Sequence, residues 1–204
     1  MLDNQNNIKK VILMSVGYLS SGIVMALFAS LGIWAKFLDV NANVGAVAFV
    51  SIFAVATCIG IILIRYLVPK FGKKAIYEHD ILVCIIGLLF ISLAINKAML
   101  VVGIIITVGA LAVFFYENFN RQVNYIRQGQ NNFLHLSSWI AGPVIALAAI
   151  YFLSDFGIIV LRVLFAHYIA IGFWFWIQRL NVHESYFDAP DTLIASDEKK
   201  DNNI

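Results

Sequence analysis

Two ionisable side chains, Arg162 and His167, lie inside the last long apolar stretch of the sequence. A charged group is costly to place in a bilayer, so intramembrane ionisable residues usually mark a path for a ligand, an ion or a proton. The guanidinium of Arg162 would bind an anionic solute or a carboxylate on another helix, and the imidazole of His167 would take up a coupling proton. The structural alternatives are that Arg162 reaches Asp155 or the lipid headgroups, and that His167 hydrogen-bonds to the backbone of a neighbouring helix.

Hydroxyl groups occur in the first apolar stretch, where Tyr18 and Ser21 are interspersed with glycines. Small residues at this spacing usually let two membrane helices approach closely. In a carrier the same hydroxyls would line the path of the substrate. Tyr18 and Ser21 are therefore candidates, together with Arg162 and His167, for binding a solute or a coupling ion.

The elements that position these side chains are long apolar runs. Of the 204 residues, 61% are hydrophobic and 13% are charged, whereas soluble domains average ~45–50% apolar and ~25% charged residues. This composition excludes a soluble enzyme, a disordered chain and a nucleic-acid-binding domain. The net charge of +2 is too small to imply a polyanionic partner.

The apolar runs predict an all-α membrane protein with six transmembrane helices that cross ~30 Å of hydrocarbon, the third of them short. The bundle occupies residues 11–180, between a cytoplasmic N-terminus (1–10) and a polar cytoplasmic tail (181–204). Cys58 and Cys84 are interpreted as small apolar residues inside the runs. The predicted spans are Val11–Leu38, Val44–Val68, Ile81–Ile95, Met99–Tyr116, Leu136–Leu153 and Phe156–Ile177.

The basic residues predict the orientation of the bundle. Most of the 14 Lys and Arg residues fall on one side of the predicted spans, and Lys36 and Lys97 fall on the other. Because basic residues concentrate in cytoplasmic loops, we expect a multi-pass protein of the plasma membrane with both termini cytoplasmic. The first run, which follows Lys9 and Lys10, is too long for the core of a secretory signal and is predicted to remain as an anchor.

The loop after the second predicted span has the sequence Lys-Phe-Gly-Lys-Lys at residues 70–74. It resembles the signature of the major facilitator superfamily, whose loop between helices two and three runs Gly-x-x-x-Asp-Arg-x-Gly-Arg-Arg/Lys. Four residues stand at matching positions: Lys70, Gly72, Lys73 and Lys74. In the family this loop takes part in gating. The alternative interpretation is an ordinary basic loop on the cytoplasmic side.

Two residues of this loop depart from the signature. Pro69 replaces the acidic residue, and Arg65 replaces the first glycine. The acidic residue of the family belongs to a charge network that stabilises one of the alternating states, so its loss puts gating through this loop in question. Physically, Pro69 would end the second helix and Gly72 would allow a tight turn.

A second stretch is similar to the sugar-porter members of the superfamily. Glu117 closes the predicted fourth span and Arg127 precedes a glycine later in the same loop, as a Glu and an Arg-Gly do in sugar porters, although the spacing here is longer. The resemblance assigns Glu117 and Arg127 to the cytoplasmic gate. The alternative for Glu117 is an interfacial ion pair with Arg121, four residues on.

The resemblance implies half of a major-facilitator-type bundle, an inverted repeat of three plus three helices. It further implies a secondary carrier that moves a small solute by alternating access when paired with a second six-helix bundle, either a second copy or a separate chain. No catalytic motif, cofactor or nucleic-acid partner is expected. Glu78, His79 and Asp80 are consecutive and cannot converge on one metal ion, so they are interpreted as charges that complement a helix dipole.

Two other functions remain open at this point. A self-contained six-span subunit that captures a substrate for an ATPase-driven importer would have the same length and number of spans. A non-transporting remnant or scaffold would also have this composition, but it would bind no solute. The dependence of uptake on a proton gradient separates a coupled carrier from an ATPase-driven importer.

Overall fold

The structure, a computed structural model, describes residues 2–127 and 132–180, which form helices joined by short connections. The predicted all-α class is therefore confirmed. A short 3-10 turn at Ser154–Phe156 joins the last two helices. The α-helices, in chain order, are α1 (Leu2–Ala29), α2 (Leu31–Phe37), α3 (Ala42–Phe71), α4 (Lys73–Ser92), α5 (Lys97–Arg127), α6 (Asn132–Leu153) and α7 (Ile158–Leu180).

Not every predicted span is a straight membrane-crossing helix. Four segments in the described ranges are long and apolar enough to cross a membrane, namely α3, the Lys97–Tyr116 part of α5, Leu136–Phe156 and α7. The α1–α2 pair, bent by 46°, would be a fifth. The predicted third span corresponds to α4, which is not among these segments of the described ranges. Six spans are thus supported in part.

The predicted first span is broken at Ser30, which separates α1 from α2. The hydroxyl of Ser30 donates to the carbonyl of Leu27 at 2.9 Å. Such back-bonding by a serine competes with the helical hydrogen bonds and often bends a helix. A single apolar run in the sequence therefore becomes two helices.

The ends of α3 are fixed by local chemistry. At its start, the side-chain oxygen of Asn41 accepts hydrogen bonds from the backbone N–H groups of Asn43 and Val44 at 3.0 and 3.5 Å, an N-cap. At its end, Gly72 has a φ of +81°, a conformation that favours glycine. Pro69 lies inside the last turn and the helix continues to Phe71, so the predicted end at Pro69 is corrected by two residues.

The helices pack around one main hydrophobic core that all seven of them help to form. The most extensive pairings are α1 with α6, α4 with α5, α3 with α5 and α4 with α7, and α1 also packs on α7. Glycines allow two of these pairs to come close. A side chain at Gly142 would collide with the α1 backbone at Tyr18 and Gly22, and one at Gly60 would collide with the carbonyl of Gly109 on α5. This is the small-residue packing typical of membrane helices.

Candidate functional site

Two of the sequence-predicted candidates meet in the structure, although they lie on helices far apart in the chain. The hydroxyl oxygen of Tyr18 on α1 is 2.7 Å from Nε2 of His167 on α7. The two rings also pack edge to face, with centroids 6.1 Å apart. Either partner can donate in this hydrogen bond, because a neutral imidazole accepts at Nε2 in one tautomer and an imidazolium donates there.

The side chain of Ser21 contacts backbone carbonyl groups. Its hydroxyl is 2.6 Å from the carbonyl oxygen of Gly17 and 2.9 Å from that of Trp139. Pro143 lies four residues after Trp139 and has no N–H, so it leaves the Trp139 carbonyl without the usual helical donor. The single hydroxyl hydrogen of Ser21 is thus shared between its own helix and the α6 carbonyl that the proline frees, and this contact joins α1 to α6.

Tyr168, beside His167, completes the polar contacts between α1, α6 and α7. Its side chain is fully buried and its hydroxyl donates to the carbonyl of Gly142 at 3.1 Å. The Tyr168 ring also packs against Tyr18, with centroids 5.9 Å apart. We call these groups the α1–α6–α7 cluster: Tyr18, Ser21, Trp139, Gly142, His167 and Tyr168.

A groove of about 420 Å³ opens between α6 and α7 beside this cluster. Its lining is apolar except for His167, whose side chain is exposed. The imidazole can therefore be reached from outside the packed core while its Nε2 atom contacts Tyr18. The apolar lining residues are Ile145, Ala149, Leu153, Phe156, Ile159, Val160, Val163 and Leu164.

Arg162 does not join the Tyr18–His167 contact. Its backbone carbonyl accepts from the hydroxyl of Ser92 on α4 at 3.4 Å, so this part of α7 faces α4. The Nε atom of Arg162 is buried and has no hydrogen-bond partner among the residues that the structure describes. Asp155, the alternative partner that the sequence suggested for Arg162, forms no ion pair with it within the described residues. The structure thus separates Arg162 from the other three candidates.

Sequence reasoning missed a buried ion pair. Nη1 of Arg179 on α7 lies 3.0 Å from Oδ1 of Asp80 on α4, and each side chain is only 2% exposed. The guanidinium carbon also lies 6.0 Å from the ring centroid of Phe114 and 5.7 Å from that of Phe175. Asp80, interpreted from the sequence as a charge that complements the helix dipole, instead pairs with a specific cation. The signal in the sequence was two opposite charges at the same predicted end of two spans.

Part of the predicted gating loop is described. Nζ of Lys70 lies over the rings of Tyr66 and Phe71, 5.9 and 5.4 Å from their centroids. Gly72 separates α3 from α4, and no atom lies near enough to contact a side chain placed there. Its role follows from its positive φ and not from crowding.

The remaining predicted gating residues are placed by their backbone alone. Lys73 and Lys74 begin α4, and Glu117 and Arg127 belong to α5. Their side chains lie outside the described part of the structure, so the predicted gate and the alternative pair of Glu117 with Arg121 stay predictions. Among the residues described, no group of three or more His, Cys, Asp or Glu could hold a metal ion.

The comparisons with known proteins agree with the loop motif. No family model matches the sequence, and no solved structure matches it. The chain is 25% identical over 187 residues to the minor myo-inositol transporter IolF of Bacillus subtilis (strain 168), a match that covers 90% of this chain and 43% of that relative. The chain therefore spans less than half the length of this relative.

The relative is named as a transporter and not as an enzyme, and its similarity extends along nearly all of the chain described above. The apolar helices agree with a multi-pass membrane protein. The resemblance to the major facilitator superfamily, indicated by the loop at residues 70–74, is thereby confirmed, and the chain is a membrane protein similar to part of such a transporter.

Proposed function

We propose that this chain is one six-helix half of a secondary carrier that moves a small solute across the plasma membrane by alternating access. The observation that carries the proposal is the similarity over 90% of this chain to only 43% of a transporter. Carriers of this type are built from two six-helix bundles around a site at the middle of the membrane. The second bundle is a second copy, a separate chain or a further part of the same polypeptide.

The pairing of the helices supports the half-carrier proposal. If α1, α3 and α4 form one repeat and α5, α6 and α7 the other, an inverted repeat requires each contact to have a counterpart. The α1–α6 contact corresponds to α5–α3, α1–α7 to α5–α4, and α6–α7 to α3–α4, and all six pairs are in contact. Gly142 at the α1–α6 crossing and Gly60 at the α3–α5 crossing occupy corresponding interfaces. In this proposal α1 with α2 and α4 are both spans.

The basic residues support an orientation with both termini cytoplasmic. Lys70 and Arg179 lie at one end of the bundle, where α3 and α7 end. We call this the basic end, and it would face the cytoplasm. Residues 1–10 and 181–204 would then lie on the cytoplasmic side of the bundle at 11–180.

The Tyr18–His167 contact is the proposed site of proton coupling. When the imidazole is neutral, its Nε2 accepts the Tyr18 hydroxyl hydrogen, and when it is protonated, its Nε2–H donates to the Tyr18 oxygen. The 2.7 Å separation suits both directions. His167 can therefore gain or lose a proton without losing its link to α1, while the direction of the hydrogen bond reverses.

The proposed solute is a small polyol. The relative is named for myo-inositol, an uncharged solute that is bound through hydrogen bonds to its hydroxyl groups. In this proposal the oxygens of Tyr18 and Ser21 on α1 accept hydrogen bonds from the solute hydroxyls, which needs no charged clamp, while the Ser21 hydrogen stays with the backbone carbonyls of Gly17 and Trp139. Arg162 as a clamp for an anionic solute is the competing assignment, supported by its unpartnered Nε atom.

The first experiment is native mass spectrometry of the protein extracted gently from its membrane. A stoichiometric complex with a second six-helix bundle is the expected result, and uptake of labelled myo-inositol would follow it. A clean monomer with a retained small molecule would instead indicate a substrate-capture subunit, and a monomer without one would indicate a scaffold. Collapse of the proton gradient by a protonophore should abolish uptake by the carrier and leave an ATPase-driven importer active.

A further inference from the structure

Helices α4 and α7 run antiparallel and are joined at both ends. At the basic end the Asp80 carboxylate pairs with Arg179 at 3.0 Å. Near the other end the Ser92 hydroxyl donates to the Arg162 carbonyl at 3.4 Å. Between them, a side chain on Gly172 would lie 3.2 Å from Cγ1 of Ile85, so the glycine lets α4 lie against the backbone of α7. These contacts define one register along the pair.

The Asp80–Arg179 pair differs from the interfacial pairs of an ordinary basic loop. Both side chains are 2% exposed, and the Phe114 and Phe175 rings lie beside the guanidinium. Charges removed from water in this way interact strongly, so separating them costs free energy. A one-turn slip of α4 along α7 would separate them, so the pair opposes any change of register.

We propose that Asp80 and Arg179 form a lock that keeps α4 and α7 in register, so that the two helices move as one body. Both partners belong to the same bundle, unlike a gate between two bundles, and the lock need not open for the solute to pass. Because α4 begins directly after Gly72, the lock also ties the loop at residues 70–74 to the end of α7. The statement about solute passage rests on the proposed function, whereas the lock itself does not.

A double-mutant cycle on the purified chain tests the lock without any solute. We expect Asp80→Asn and Arg179→Gln each to lower the Tm by about 6–20 °C, because each breaks a buried, charge-assisted pair. The double variant Asp80→Asn/Arg179→Gln should lower the Tm by clearly less than the sum of the two single decreases, since neither charge then remains. Strictly additive losses would overturn the proposal. If a single variant fails to fold, Arg179→Lys keeps the charge and should fold, and an equal failure of Arg179→Lys and Arg179→Gln would likewise count against it.

A second measurement separates a lock from a merely stabilising contact. Nitroxide labels would be placed at exposed Val83 on α4 and Trp174 on α7, with Cys58 and Cys84 replaced by alanine. The dipolar broadening should be the same with and without myo-inositol, and Asp80→Asn should make it weaker and more heterogeneous. Unchanged broadening in Asp80→Asn would show that the register does not depend on the pair. A failure to transport myo-inositol would affect only the comparison with solute.

Discussion

The hydroxyl of Ser21 on α1 contacts the one carbonyl of α6, that of Trp139, which Pro143 deprives of its helical donor. The distance is 2.9 Å. In hydrocarbon no water can take the place of the missing donor, so a proline inside a span is tolerated where a neighbouring side chain reaches the freed carbonyl. Pro143 and Ser21 are thus linked, and the link joins α1 to α6.

Replacing Ser21 with alanine should therefore destabilise the α1–α6 contact. We expect Ser21→Ala to lower the free energy of unfolding by about 0.5–2 kcal/mol, measured by thermal unfolding in detergent. The matched control is Ser51→Ala, because the Ser51 hydroxyl bonds only within its own helix, to Val47 at 2.9 Å. With Pro143→Ala in the background, a backbone N–H returns to Trp139, and the loss from Ser21→Ala should shrink. An undiminished loss would refute the link.

This link shows what the sequence could and could not predict. The apolar runs predicted helices, because composition and length decide whether a segment is stable in a bilayer. A proline inside a helix frees one carbonyl, but which hydroxyl reaches that carbonyl depends on which helices are neighbours. The same limit hid the Asp80–Arg179 pair, whose residues lie on α4 and α7. The bend at Ser30 was missed for a different reason, because hydropathy does not report local back-bonding by a serine.

The sequence predicted which residues belong to the candidate site better than it predicted how they are arranged. Tyr18 and His167 were each identified as a polar group in an apolar run, and they make one contact. Arg162 and Ser21 were identified by the same rule and face other partners, α4 and the α6 backbone. A polar residue in a membrane helix can serve a solute or a helix contact, and the rule does not distinguish the two.

The crossing glycines give a prediction about packing. We expect Gly142→Ala and Gly60→Ala each to cost about 1–3 kcal/mol, because the added methyl meets the backbone of α1 or of α5. The control is Gly32→Ala, since nothing lies within 4 Å of a side chain there, and this change should gain up to ~1 kcal/mol from helix propensity. The measurement is the thermal unfolding of each variant in the same detergent. If Gly142→Ala and Gly32→Ala changed the stability by the same amount, α1 and α6 would not cross as closely as described.

Proton coupling at His167 predicts that two variants differ in how their uptake responds to a protonophore. In His167→Gln the amide can still hydrogen-bond to Tyr18 but cannot take up a proton, so accumulation of labelled myo-inositol should no longer respond to a protonophore. Tyr18→Phe removes the hydrogen bond and keeps the imidazole, so its weaker uptake should still respond. The assay is uptake by cells or proteoliposomes at several external pH values. Coupling that persists in His167→Gln would exclude this residue as the proton carrier.

Arg162 decides between an anionic and an uncharged solute. If the carrier moves a polyol, Arg162→Ala should leave the apparent affinity for myo-inositol within about twofold, because no charge pair is lost. If Arg162 clamps an anion, the same variant should abolish binding of an anionic solute while the protein stays folded, and Arg162→Lys should keep part of the affinity. Affinities would be measured by equilibrium binding to the purified protein, with Tm as the check on folding. Loss of myo-inositol binding in Arg162→Ala at an unchanged Tm would place Arg162 in the polyol site and would contradict a site made of hydroxyls alone.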